Sequence, residues 1–311
     1  MEKTKSGIKS KVTAASLLFA LGIIYGDIGT SPLYALRAVI GHRMINMDLV
    51  YGGVSCIFWT LVFQTTIKYI WLTLRADNQG EGGIFSLYAL VGKYNKKLVL
   101  VAILGATTLL ADGTITPPIS VASAIEGLNL VQGLENIIVP GNDLTIGIVI
   151  AILSVLFFIQ RFGTEVIGKF FGPMMAVWFS MLLVFGVHQI VIHPDVLKSL
   201  NLYYAYNLLA NYPNGFWLLG AVFLCTTGAE ALYSDLGHCG IRNIRITWIF
   251  VKISLVTCYL GQAAWLMHLG QPFLNGRNPF FEIIPHWFLL PSILIATAAT
   301  IIASQALISG S

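Results

Sequence analysis

The chain has 311 residues, of which 56% are hydrophobic and only 10% charged. Soluble domains carry about 25% charged residues, so this balance excludes an ordinary soluble protein and predicts an integral membrane protein with several spans of about 20 residues each. The net charge of +4 comes from basic residues scattered through loops, which is not the pattern of a nucleic-acid surface.

The basic start, Met1 to Lys11, precedes an apolar run as in a signal peptide. No small-residue cleavage site follows it, so the run reads as a retained first span. Apolar segments then predict a short N-terminal segment, 1–13, and a transmembrane domain, 14–311. The spans are expected at 14–41, 49–74, 97–130, 144–160, 166–192, 216–236, 246–269 and 288–310.

The first span contains Gly-Ile-Ile-Tyr-Gly-Asp-Ile-Gly-Thr-Ser-Pro-Leu-Tyr, residues 22–34, and cannot be one continuous helix. Gly26 and Gly29 weaken it, and Pro32 removes a backbone donor. Ser31 before Pro32 reads as an N-cap with a first-turn proline, so a second half-helix is expected to start there. The first half would end near Gly26, with the negative end of its dipole beside Asp27. Freed carbonyls next to a buried carboxylate suit a cation or a retained proton. Tyr25, Thr30, Ser31 and Tyr34 add neutral oxygens nearby.

Between spans two and three lies Arg-Ala-Asp-Asn-Gln-Gly-Glu-Gly-Gly, residues 75–83. Its glycines suggest a phosphate cradle, but no Gly-Lys-Ser/Thr follows, so it reads as a turn or hinge. Span three carries Asp112, Thr116, Ser120, Ser123 and Glu126 within an arc of roughly 120°. Its length predicts an interruption or a tilt, and Pro117 and Pro118 are expected to break it. Asp112 and Glu126 are about 21 Å apart along a helix, so Asp112 and Thr116 suit a central site and Glu126 an outer mouth. The loop 131–143 carries Glu135 and Asp143 and no basic residue. Spans four and five look like scaffold, with His188 and His193 as surface positions near the outer end of span five.

Span six contains Cys-Thr-Thr-Gly-Ala-Glu-Ala-Leu-Tyr-Ser-Asp-Leu-Gly-His, residues 225–238. Gly228 and Glu230 predict a second broken helix. Gly29-x-x-x-Leu33-Tyr34 is echoed by Gly228-x-x-x-Leu232-Tyr233, and the copy would run inverted through the membrane. Such echoes in glycine-interrupted spans point to the central site of a transporter. Cys56, Cys225, Cys239 and Cys258 lie in or near apolar segments without metal spacing and read as packing residues. The histidines show no H-E-x-x-H pattern, and His188, His193 and His238 have no partner by spacing.

Basic residues set the orientation. Lys3, Lys5, Lys9 and Lys11, then Arg75, Lys93, Lys96 and Lys97, then Arg161 and Lys169, then Arg242 and Arg245 fall on one side if every span crosses once. Arg37, Arg43, Lys198 and Arg277 fall on the other. The N-terminus is therefore expected in the cytoplasm, and the protein in the cell membrane.

Residues 22–34 closely resemble the opening signature of the KUP/HAK/KT potassium uptake family. The loop 75–83, the stretch 111–128, the Thr-Gly-Ala-Glu-Ala-Leu-Tyr run and the end Ile-Ala-Ser-Gln-Ala-Leu-Ile-Ser-Gly are similar to that family too. Pro118 stands where Ala is common, and Asp112 where some members have Glu. Family members continue with more spans and a cytoplasmic region, so the chain looks like part of a typical member.

The resemblance implies an all-α polytopic membrane protein of LeuT-like, amino acid–polyamine–cation type, with an incomplete second repeat. It implies potassium uptake by proton symport, no cofactor and no enzyme activity. Candidate potassium ligands are Asp27, Tyr34, Thr116, Ser120, Thr226 and Thr227. Asp27, Asp112 and Glu230 are the proton-coupling candidates. Tyr25, Thr30, Ser31, Glu126 and Tyr233 are expected in gating or supporting roles. The partners are potassium, a proton and the lipid bilayer, with a homodimer as an open assembly state. An amino-acid or polyamine carrier on the same fold and a non-transporting potassium sensor are the rival readings. A channel would show a Thr-Val-Gly-Tyr-Gly pore loop, which is missing.

Overall fold

The computed structural model describes residues 12–131, 133–134, 138–139, 141–160 and 165–310. Lys3, Lys5, Lys9, Lys11, Glu135 and Arg161 lie outside the described residues. The elements are helical throughout. Thr13 starts α1 (Ala14–Ile24) with a reciprocal cap, its hydroxyl accepting from the Ser16 amide while Ser16 Oγ accepts from the Thr13 amide. The chain bends at Tyr25 and continues through α2 (Gly26–Thr30), a 3-10 turn (Ser31–Leu33) and α3 (Ala35–Ile40). Asn46 caps α4 (Met47–Thr60), which widens into π-type spacing over Leu61–Leu72. Then follow α5 (Ile84–Val91), α6 (Leu98–Ile125), α7 (Asp143–Gln160), α8 (Glu165–Ile192) and α9 (Leu202–Asn211). Short pieces α10 (Leu219–Phe223), α11 (Ala231–Ser234) and α12 (Leu236–Cys239) precede α13 (Ile241–His268), α14 (Pro279–Glu282) and α15 (His286–Gly310).

Among the described residues, six helical stretches are long and apolar enough to cross a membrane. These are Met47–Arg75, Leu98–Leu130, Phe170–Ile192, Gly215–Ser234, Ile241–His268 and His286–Leu307. A seventh arises if Ala14–Ile24 and Gly26–Leu33, bent by 72°, form one span. A shorter apolar helix runs over Asp143–Phe158.

The expected interruption at Pro117 and Pro118 is corrected, because α6 runs through both prolines. Each proline removes one i→i−4 bond, and the Gly113 and Thr114 carbonyls lose their usual donors. Neighbouring helices make such losses tolerable inside a membrane helix.

Small residues set the helix packing, as expected where lipid supplies no hydrophobic drive between helices. A Cβ at Gly261 of α13 would lie 2.8 Å from the Gly186 Cα of α8. One at Gly22 of α1 would lie 2.5 Å from the Gly172 amide nitrogen of α8. α8 is thus clasped between α1 and α13. In the two broken spans, α3 packs against α10 and α1 against α12, so the spans run in opposite directions.

The loop 75–83 forms a tight turn. Asn78 and Glu81 exchange backbone bonds of 2.9 and 3.0 Å, and Asp77 Oδ2 accepts from the Gly80 amide at 3.0 Å. It is also docked. The Tyr233 hydroxyl donates to the Ala76 carbonyl, Gly82 lies bare against the Tyr233 carbonyl, and the Glu81 carboxylate rests on Gly237.

Gly261→Leu should wedge α8 from α13 and cost about 1–3 kcal/mol. A lowered Tm and loss of monodisperse protein in detergent would check this.

Candidate functional site

The first break is built at Tyr25, whose backbone (φ −100°, ψ 12°) leaves the helix. Helical backbone resumes at Gly26, so the expected restart at Ser31 is corrected. Ser31 does not cap. Its hydroxyl donates to the Ile28 carbonyl at 2.7 Å and accepts from the Tyr259 hydroxyl at 3.2 Å. Pro32 sits inside the 3-10 turn that follows.

Several carbonyls around the break are already committed. Trp178 Nε1 donates to the Gly29 carbonyl at 2.9 Å, Gln262 Nε2 to Pro32 at 3.0 Å and Asn278 Nδ2 to Leu33 at 2.9 Å. The Thr30 hydroxyl donates to the Asp27 carbonyl at 2.9 Å. A buried carbonyl without a donor would cost about 1–3 kcal/mol. The carbonyls of Asp27, Gly29, Pro32 and Leu33 are therefore each satisfied by a side-chain donor.

Asp27 is 6% exposed, and its Oδ2 has no hydrogen-bond partner. A buried carboxylate normally finds partners, so the free oxygen is a functional signal. The second break lies beneath it. Gly228 has φ +77°, and a Cβ there would lie 2.5 Å from Asp27 Cβ and 2.7 Å from Asp27 Oδ2. Glycine meets both the backbone and the steric demand. The two share a cavity of about 30 Å³ whose lining includes Ile24, Glu230, Asp235 and Ala303. Asp112 and Glu230 lie within electrostatic reach of Asp27.

On the other side of Asp27, the Tyr34 hydroxyl shares a 3.1 Å hydrogen bond with Thr227 Oγ1. Ser120 Oγ lies close to Tyr34 but is buried without a well-formed hydrogen bond of its own. One turn along α6, the Thr116 hydroxyl donates to Asp112 Oδ1 at 2.7 Å. Asp27, Tyr34, Ser120, Thr227, Asp112, Thr116 and Glu230 thus gather where α6, the Ser31–Leu33 turn and the two breaks meet.

Other singled-out residues face elsewhere. Thr226 Oγ1 donates to the Phe223 carbonyl at 2.9 Å, within its own helical turn. The Tyr25 hydroxyl turns to α13, donating to the Ile244 carbonyl at 2.6 Å and accepting from Thr247 at 3.1 Å. Tyr233 points to the docked loop. Glu126 pairs with Arg37 of α3 beside a separate cavity of about 350 Å³ that also includes Asn129, Asn275 and Arg277. Trp178, Gln262, Asn278 and Asp235 were not anticipated. Gln262 and Asn278, polar residues in or beside apolar segments, carried a usable signal, whereas Trp178 carried none.

Six to seven apolar helical stretches with paired, oppositely directed broken spans define a polytopic α-helical membrane protein. Residues 14–311 match the K+ potassium transporter integral membrane domain, and the chain belongs to that family. It is 58% identical over 307 residues to a protein of Cytophaga hutchinsonii described as a probable potassium transport system protein Kup, covering 97% of this chain and 45% of that one. A like-named protein of Flavobacterium johnsoniae is 56% identical, covering 100% of this chain and 48% of its own length. One of Clostridium perfringens is 50% identical with the same coverage, 100% and 48%. The chain spans about half the length of these relatives. No solved structure matches.

Trp178→Phe should leave the Gly29 carbonyl without its donor and cost about 1–3 kcal/mol, whereas Tyr34→Phe should cost less than about 1 kcal/mol. Thermal unfolding in detergent would separate a residue that holds the break from one placed at its centre.

Proposed function

We propose that the protein takes up potassium as a potassium:proton symporter of LeuT-like architecture. The observation that carries this reading is the unpartnered oxygen of Asp27, held where two opposed helix breaks meet. Potassium is a hard cation and needs several oxygens at once. Asp27, Tyr34, Ser120 and Thr227 are the first ligands, with Thr116 one turn away. Thr226 and Thr227 both donate within their own turn, to the Phe223 and Leu224 carbonyls, and Thr227 is preferred because it also bonds Tyr34. Peptide carbonyls play a smaller part than a broken helix alone suggests, since those of Gly29, Pro32 and Leu33 already have donors.

Proton coupling follows from crowding. Asp27, Asp112 and Glu230 share a poorly solvated region, and like charges there cannot all be ionised at low cost. An arriving cation favours the ionised form and expels a proton, while protonation expels the cation. The acidic lining of the same cavity argues against an amino-acid substrate, whose carboxylate Asp27, Glu230 and Asp235 would repel.

The distribution of basic residues supports a cytoplasmic N-terminus. The docked turn at 75–83 then closes the inner side. The Arg37–Glu126 pair bridges α3 and the far end of α6 at the outer mouth.

The test is rubidium uptake by the protein at its full natural length, in cells lacking other potassium importers. Wild-type uptake should rise on external acidification, and Asp27→Asn should lower it at least tenfold at normal membrane insertion. Uptake equal in both would make Asp27 a structural residue. Uptake indifferent to a proton gradient would remove the symport mechanism.

A further inference from the structure

A second cluster of chemically capable side chains lies away from the central site. His193 follows the last residue of α8, Asp195 sits in the 3-10 turn Pro194–Leu200, and His268 ends α13. Their ligand atoms all lie within 4.8 Å of one another. The two imidazole rings stack with centroids 3.5 Å apart and planes 13° from parallel.

We propose that His193, Asp195 and His268 form a binding site for a divalent transition cation of the zinc type. Two imidazoles and one carboxylate, with a fourth position left to water, make an open tetrahedral donor set. His193 is half-buried and the other two are exposed, so a cation has a path in.

The supporting groups already stand in place. Metal-bound histidine usually directs its second nitrogen to a carbonyl or carboxylate. His268 Nδ1 lies 2.9 Å from the Ala264 carbonyl, which leaves Nε2 for the metal. The Tyr51 hydroxyl donates to Asp195 Oδ2 at 2.7 Å, which leaves Oδ1 free. Bond lengths of about 2.0–2.1 Å put tetrahedral ligand atoms roughly 3.3 Å apart. The atoms must therefore draw in, and the rings must swivel out of their stack. The bound cation would tie the ends of α8 and α13, with α4 joined through Tyr51.

The experiment is a ZnCl₂ titration of the purified full-length protein in metal-free detergent buffer, by calorimetry and by competition with a chromophoric chelator. One zinc per chain is expected, with a zinc-dependent rise in Tm. His193→Ala and His268→Ala should each weaken binding about tenfold or more and abolish the Tm rise. Tyr51→Phe should weaken it about tenfold through Asp195 alone. Zinc-free melting of each variant establishes that it is folded. No stoichiometric zinc in the wild type would overturn the proposal, and so would binding that survives unchanged in a folded His193→Ala/His268→Ala double variant.

Discussion

The contact between the Asp27 side chain and the bare backbone of Gly228 governs the centre of the molecule. It brings two helix breaks from distant parts of the chain to one point. Any side chain at 228 would push Asp27 away, and any straight helix at 25–30 would move Asp27 off the cavity. The cost of the arrangement appears as a carboxylate oxygen without a donor. In a hydrophobic interior that cost is large unless a proton or a cation relieves it.

Around this point the protein spends its other polar atoms on stability. Trp178, Gln262 and Asn278 come from three separate segments and quiet the carbonyls of the first break. Tyr259 holds Ser31, and Tyr25 is anchored on α13. The first broken span is thus tied to α8, α13 and the cap of α14 by side-chain bonds, while Asp27 Oδ2 is left without one.

The breaks themselves were legible, because Gly26, Asp27, Gly29 and Gly228 violate what a membrane helix prefers. The family was legible from the same motifs. The restart of the first span was misread at Ser31, since Ser-Pro is a strong local start signal that tertiary bonds to Ile28 and Tyr259 override. Continuity through Pro117 and Pro118 was misread for the same kind of reason, as local backbone loss does not decide a packed helix. The caps at Gly29, Pro32 and Leu33 were invisible, because their donors lie about 150 to 250 residues away along the chain. His193 and His268 likewise become neighbours only through the close seam of α8 and α13, which no spacing rule contains.

The docked turn at 75–83 has a mechanical meaning. A hydrogen bond between Tyr233 and Ala76 ties segments 157 residues apart, just beyond the glycine pivot of the second broken span. The outer part of a lever cannot swing freely when its tip is tethered. Any tilt of α11 at Gly228 must carry the turn with it, bend the π-wound end of the preceding span, or rupture the tether. A loop outside the cavity lining is therefore one of the restraints on any movement at Gly228.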